Sequence, residues 1–169
     1  GSFSAGADRL EGAGRAGIPQ VVVPGALDLV NFWVPEFPSE KFAGRLLHRY
    51  NPDIVLMRTD VEESRELGRI MARKLNAAEA PIRVLVPLRG FSMLDHEEGP
   101  AVSPYKGSPA GSWYDPEADR AFVDGLLAEI KDVEVEQADA HINDPSFSDL
   151  LVQKACQLFS MSDVRGRKS

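Results

Sequence analysis

The sequence predicts an α/β fold, a three-layer sandwich of helices around a mainly parallel sheet. Two observations carry this. Short β-branched runs, Gln20–Val23, Ile54–Met57 and Ile82–Leu88, alternate with stretches whose apolar residues recur at helical spacing. Strands that alternate with helices pair in parallel through right-handed crossovers. Val21–Val23, Ile54–Met57 and Val84–Val86 are therefore expected side by side in one sheet of a Rossmann-like domain.

The elements follow in chain order. Ser2–Ala5 reads as a short strand. Asp8–Ala16 reads as a helix with Leu10, Ala13 and Ala16 on one face, ended by Gly17 and Pro19. Pro24-Gly25 closes the first full strand. Ala26–Tyr50 is irregular, with a loop around Trp33, Pro35 and Pro38 and a short helix over Glu40–Leu47. After Ile54–Met57, Asp60 and Glu63 have capping-box spacing, and Leu67, Ile70, Met71 and Leu75 form an apolar stripe. Phe91–Tyr114 is rich in backbone breakers, so Gly99–Gly111 is expected to be mobile, as a lid, binding loop or insert would be. Asp115-Pro116 opens a helix that buries Phe122, Val123, Leu126, Leu127 and Ile130. Val133–Glu136 alternates like a half-exposed edge strand. Asp144 caps the last helix, with Phe147, Leu151, Ala155 and Leu158 inward.

A chain of 169 residues is long enough for one domain with a full core. Residues 1–159 read as that domain and 160–169 as a linker or tail. The net charge of −7 argues against nucleic acid as a partner, and the Arg165–Lys168 cluster reads as solvated. No apolar run is long enough for a membrane span, and the first residues do not read as a basic leader followed by an apolar stretch. The single Cys156 lies in a helical apolar pattern and reads as a buried thiol. These features fit a reducing, cytoplasmic setting. The three histidines lack local metal-ligand spacing, so no metal site is expected.

In open parallel sheets, ligands sit beyond the carboxyl ends of the strands. Candidate site residues are therefore the polar ones there. After the first strand come Asp28 and Asn31, which either cap a turn or meet a ligand. After the third come Arg89, Gly90 and Ser92. An Arg fork, a Gly that lets backbone approach and a hydroxyl donor can hold a phosphate or carboxylate. The competing reading is an Arg salt bridge to a nearby loop. Asp139, His141 and Asn143 alternate, so an extended chain would point them to one side. Asp139 and His141 could then be a base with its orienting carboxylate, half of a metal site, or structural. Arg58 and Thr59 end the second strand. His48 precedes it and is expected on the opposite edge of the sheet. The Walker A and Gly-x-Gly-x-x-Gly fingerprints are absent. If the strands run as read, Asp28, Arg58, Arg89, Ser92, Asp139 and His141 converge in one cleft.

Five ordered blocks carry a resemblance that covers Phe3 to about Phe159: PQVVVPGALDLVNF from Pro19, RLLHRYNPDIVLMRT from Arg45, VPLRGFSMLD from Val86, YDPEAD from Tyr114 and DAHINDP from Asp139. Together they resemble the carboxyl-terminal lobe of the plant tobamovirus-resistance (tomato mosaic virus inhibitor) protein family and its uncharacterised bacterial and fungal relatives. The resemblance implies one lobe of a two-lobed Rossmann-like module described as ATP-binding. It implies an amino-terminal lobe as partner and, in plants and fungi, a following TIM-barrel domain. Two departures stand out: the loop from Asp95 to Asp115 is long for the family, and Tyr50 replaces an expected His.

Three functions are open at this stage. The first is a module binding ATP or another phosphate-bearing small molecule, with Arg89, Gly90 and Ser92 on the anion and Asp28, Asn31, Arg58 and Asn143 completing the site. The second is a metabolic enzyme on a small polar or acidic metabolite, with His141 as base and Asp139 orienting it. The third is a protein-interaction domain. A lobe without its partner is also expected to expose apolar surface and to form a homo-oligomer.

Overall fold

The computed structural model describes residues 1–38 and 40–166, with side chains described through residue 160. Two three-stranded sheets carry the fold. Sheet A holds β1 (Gln20–Val22), β5 (Ile82–Pro87) and β6 (Glu134–Ala138), with β5 in the centre and both pairings parallel. Sheet B holds β2 (Leu29–Trp33), β4 (Ile54–Arg58) and β3 (Leu47–Arg49), with β4 in the centre and both pairings antiparallel. The helices are α1 (Gly12–Arg15), α2 (Val61–Asn76), α3 (Pro116–Glu129) and α4 (Pro145–Gly166), with a 3-10 turn at Val34–Glu36.

Sheet A is the middle of the expected sandwich. Ile82, Val84 and Val86 of β5 point into a core with Met71, Leu75, Phe122 and Leu126 of α2 and α3. Leu85, between them, points to the other face, where Phe147 of α4 covers it. This two-sided burial is why β5 reads as a continuous apolar run. The helix starts are local chemistry. Asp60 and Glu63 form the full capping box of α2, and the Asp115 carboxylate accepts the Glu117 and Ala118 N–H groups at the start of α3.

Ile54–Met57 is not in the parallel sheet, contrary to expectation. Tyr50–Asp53 turns β3 straight back into β4, and the Asn51 side-chain oxygen accepts the Asp53 and Ile54 N–H groups to shape that turn. A connection this short permits only antiparallel pairing, since parallel pairs need a crossover. The run is wholly apolar because β4 is covered on both faces. Val55 and Met57 meet the aromatic cluster of Phe32, Phe37 and Tyr105. Leu56 meets Leu94 and Trp113 on the other.

Other expectations also shift. Ser2–Ala5 is not a strand; the Ser2 N–H donates to the Asn31 carbonyl and the Ser2 hydroxyl accepts the Trp33 N–H, tying the segment to β2. The first helix shrinks to Gly12–Arg15, with Leu10 held at φ 72°. Residues 40–44 form turns, not a helix, before β3. Tyr105 and Trp113 anchor the long loop in two cores. Cys156 is exposed, because Phe147 and Leu158 take the inward face of α4. Helix α4 continues through Ser160 to Gly166; residues 167–169 of the expected tail lie outside the described residues. No helix among the described residues is long and apolar enough to cross a membrane.

Helices α2 and α3 cross at Gly68 and Gly125. A Cβ on Gly68 would lie 2.2 Å from the Phe122 carbonyl oxygen, and one on Gly125 would lie 2.1 Å from that of Arg65. Helix propensity alone favours Ala over Gly by about 1 kcal/mol, but here overpacking decides the sign. Gly125→Ala is expected to lower stability by about 1–3 kcal/mol in urea unfolding.

Candidate functional site

Alternation along β4 puts Arg58 on the same face as Leu56, toward Trp113. The side chain is 5% exposed. Its Nε donates to the Trp113 carbonyl at 3.0 Å, and Nη1 donates to the Asp28 carbonyl and the Thr59 hydroxyl, each at 3.2 Å. Nη2 donates to Asp119 at 2.9 Å, and to Asp95 and the Asp115 carbonyl at 3.3 Å. A guanidinium has five N–H donors, and these contacts occupy them all. Arg58 therefore has no donor left for a ligand, and its place is structural.

Asp28, expected to contact a ligand, is fully buried in the β1–β2 loop. One carboxylate oxygen accepts the Ser92 hydroxyl at 2.6 Å and the Trp113 indole N–H at 2.8 Å. The other has no hydrogen-bond partner among the described residues. Ser92 is thus committed to Asp28 rather than free for an anion. Asp95 is fully buried as well, and accepts the Phe91 N–H at 3.0 Å. Two buried carboxyls, Asp95 and Asp119, meet the one buried guanidinium of Arg58, and the buried Asp28 carboxylate adds negative charge on Asp95. Burial pushes Asp119 from its ordinary 3.8 up to about 7; the Asp95 charge adds to this, and Arg58 opposes it. Burial likewise raises Asp95, against the pull of Arg58.

Gly90 serves this same network through the backbone. It sits at φ 124°, and a Cβ there would fall 1.7 Å from the Asp95 carbonyl oxygen. Its role is the tight fold of the β5–α3 loop rather than a cradle for a ligand. The His141 Nε2 lies 2.9 Å from the Ser92 carbonyl, and Nδ1 accepts the Asn143 N–H at 3.2 Å. A carbonyl can only accept, so His141 carries its proton on Nε2. Both ring nitrogens are engaged.

Asp139 does not orient His141. Its carboxylate takes a two-pronged bond from Arg89, at 2.7 and 2.8 Å, on the exposed surface. The chain leaves β6 at Ala138 and turns, with the Ala140 N–H donating to the Ala138 carbonyl. The expected alternation of Asp139, His141 and Asn143 is lost at that turn: Asp139 and Asn143 are exposed and His141 is buried. The Arg89 bond holds Asp139 below the usual carboxylate range.

Asp28, Arg58, Ser92 and His141 do gather, linked by direct bonds, with Arg89 and Asp139 beside them at the surface. Asn31 stays apart, exposed in β2. His48 reaches the network's edge, its ring 6.1 Å from Trp113, and burial lowers its pKa. Sequence reasoning passed over Asp95, Asp119 and Trp113. A signal existed for Asp119: an acid one turn into a helix, on the face that also carries Phe122 and Val123.

The open space lies next to the network. A cleft of about 480 Å³ runs between the carboxyl ends of β5 and β6 and helix α3. Leu88, Phe91, Tyr114, Asp119, Arg120 and Leu127 are among its walls. Arg120 is exposed and has no ion pair among the described residues. Burial raises the Tyr114 phenol, with the charges of Glu97, Asp119 and Asp95 adding to this and that of Arg89 opposing it; Arg89 directly follows Leu88 of the cleft wall.

Two outcomes are expected. Arg58→Ala strands buried carboxylates and should cost about 3–5 kcal/mol in urea unfolding. The second concerns pH. A carboxyl whose folded pKa is raised binds its proton more tightly in the native state, so its contribution to stability is present in acid and lost as the pH rises. For Asp119 the loss should run between about 4 and about 7. The difference between wild type and Asp119→Asn, measured across that range, isolates it.

Residues 1–159 match the sequence model of the uncharacterised protein family (UPF0261) C-terminal domain. A UPF0261 protein of Rhizobium meliloti is 39% identical over 155 residues, covering 90% of this chain and 36% of the relative. One of Clostridium tetani is 37% identical over 156 residues, covering 91% and 36%. The ToMV resistance protein Tm-1(GCR237) of Solanum lycopersicum is 33% identical over 144 residues, covering 83% of this chain and 18% of that protein. The chain thus spans about a third or less of the curated relatives it matches. On the match over residues 1–159, the chain belongs to the UPF0261 family, as its carboxyl-terminal domain.

Proposed function

We propose that this domain binds a small anionic molecule, bearing phosphate or carboxylate, in the cleft between the carboxyl ends of β5 and β6 and helix α3. ATP is one member of that class. The observation that carries the reading is the position of a ligand-sized cleft at the carboxyl edge of the parallel sheet, with Arg120 on its wall. Apolar walls from Leu88, Phe91 and Leu127 suit the body of a ligand, and Arg120 and Arg89 suit its charge. The exposed apolar rim, with Leu88 and Leu127 each 44% exposed, fits closure by the amino-terminal lobe expected for the module, or by a second copy.

A second reading, an enzyme acting on that molecule, draws support from Asp119. A carboxyl near neutrality at the cleft wall is suited to proton transfer. His141 is less suited, since both of its ring nitrogens are engaged.

Calorimetry with ATP and with sugar acids and their phosphates tests the binding reading. Arg120→Ala is expected to weaken binding about tenfold, in the range of one charge-assisted hydrogen bond. Arg89→Ala should weaken it too, and Asp139→Asn should strengthen it by releasing Arg89 from its pair. Folding should stay intact in all three, because these side chains are exposed. Unchanged affinity in Arg120→Ala and Arg89→Ala would remove the anion site from this cleft.

A further inference from the structure

We propose that anion binding in the cleft between β5 and α3 is coupled to uptake of one proton by the buried carboxyl pair Asp95 and Asp119, so that the site holds its ligand more tightly in acid than in alkali. The inference rests on the reading of that cleft given above.

Asp119 belongs to two places at once. It forms part of the cleft wall, and it accepts from Arg58 at 2.9 Å inside the network. Asp95 meets the same Nη2 at 3.3 Å, so the two carboxyls converge on one guanidinium nitrogen. The charge count is unbalanced before any ligand arrives: Asp95 and Asp119 share the one Arg58 guanidinium, and the buried Asp28 adds negative charge on Asp95. A like charge nearby disfavours ionisation. An anion seated against Asp119 adds such a charge, and the least costly response is to protonate the pair.

The charged groups around Asp119 come from several elements. Arg58 faces it from β4, Asp95 from the β5–α3 loop, and Asp28 adds negative charge on Asp95 from the β1–β2 loop. Tyr114 lies on the same wall and Asp115 caps the same helix. Arg120 and Asp124 flank it on α3, and Arg89 and Glu97 act through Tyr114. Arg58 is saturated and Arg89 is shared with Asp139, so Arg120 is the wall cation that has no ion pair among the described residues. One cation can attract the anion without cancelling its effect on Asp119. In its protonated form Asp119 is also an O–H donor, a better neighbour for a phosphate or carboxylate oxygen than a carboxylate.

The test is calorimetry with ATP at about pH 8, well above the phosphate ionisation near ~6, in two buffers of different ionisation enthalpy. Proton uptake approaching about one per ATP is expected, falling close to zero in Asp119→Asn. A carbon-13 carboxyl titration of the ligand-free wild type should place Asp119 at about 7. ATP binding with no buffer dependence would overturn the coupling and leave the cleft reading intact. No heat with ATP, together with no thermal stabilisation by sugar acids or their phosphates, would overturn both. An Asp119 carboxyl titrating in the ordinary range would overturn the coupling whatever ATP does, so the result does not hang on the folding of the variant.

Discussion

The guanidinium of Arg58 is the joint on which the rest of the structure depends. It ends the central strand of sheet B and reaches the β1–β2 loop, the β5–α3 loop and the start of α3. Those segments come from both sheets and from the helix layer. A buried cation is tolerated only where carboxylates and carbonyls take up its donors. Replacing Arg58 would leave Asp95 and Asp119 buried without their counter-charge. The network thus holds the two sheets in one relation through charge as well as apolar contact.

The same joint shapes the surface beside it. Gly90 allows the loop after β5 to fold back on Asp95, and that fold carries Ser92 to Asp28 and its carbonyl to His141. The polar residues of this edge are therefore largely spent on one another. What remains open is the neighbouring cleft, where Asp119 is the one carboxyl shared between interior and wall. A ligand there would meet a network already short of positive charge. Position alone puts Asp119 both on the cleft wall and in the charged interior.

The gathering of polar residues is weaker evidence of function than it first looks. Asp28, Ser92 and His141 are far apart in sequence, and their meeting at strand ends was expected to mark a ligand site. They meet, yet each has a partner inside the protein. Convergence can serve to close a buried network as well as to make a site. Exposure separates the two cases here: Arg89 and Arg120 face solvent, whereas Arg58, Ser92 and His141 are tied down.

The sequence by itself determined the longer helices and the strands of the parallel sheet, but its pattern misleads at the short elements Ser2–Ala5, Asp8–Ala16 and Glu40–Leu47. Capping at Asp60 and Asp115, the strands at Gln20 and Ile82 and most of the inward faces of α2 and α3 follow from interactions within a few residues, although Ile70 and Leu127, expected inward, are exposed. The sequence also marked the loops where polar residues collect. Only the tertiary structure decided three further matters. Ile54–Met57 joined an antiparallel sheet, because an apolar run records burial on both faces and not the direction of its neighbours. Arg89 paired with Asp139 and Ser92 with Asp28, because hydrogen-bond partners some 50 or more residues apart leave no trace in local spacing. Asp119 came to the cleft wall for the same reason: burial and the Asp95 charge raise its proton affinity against the pull of Arg58, all of them contributed by other segments of the chain.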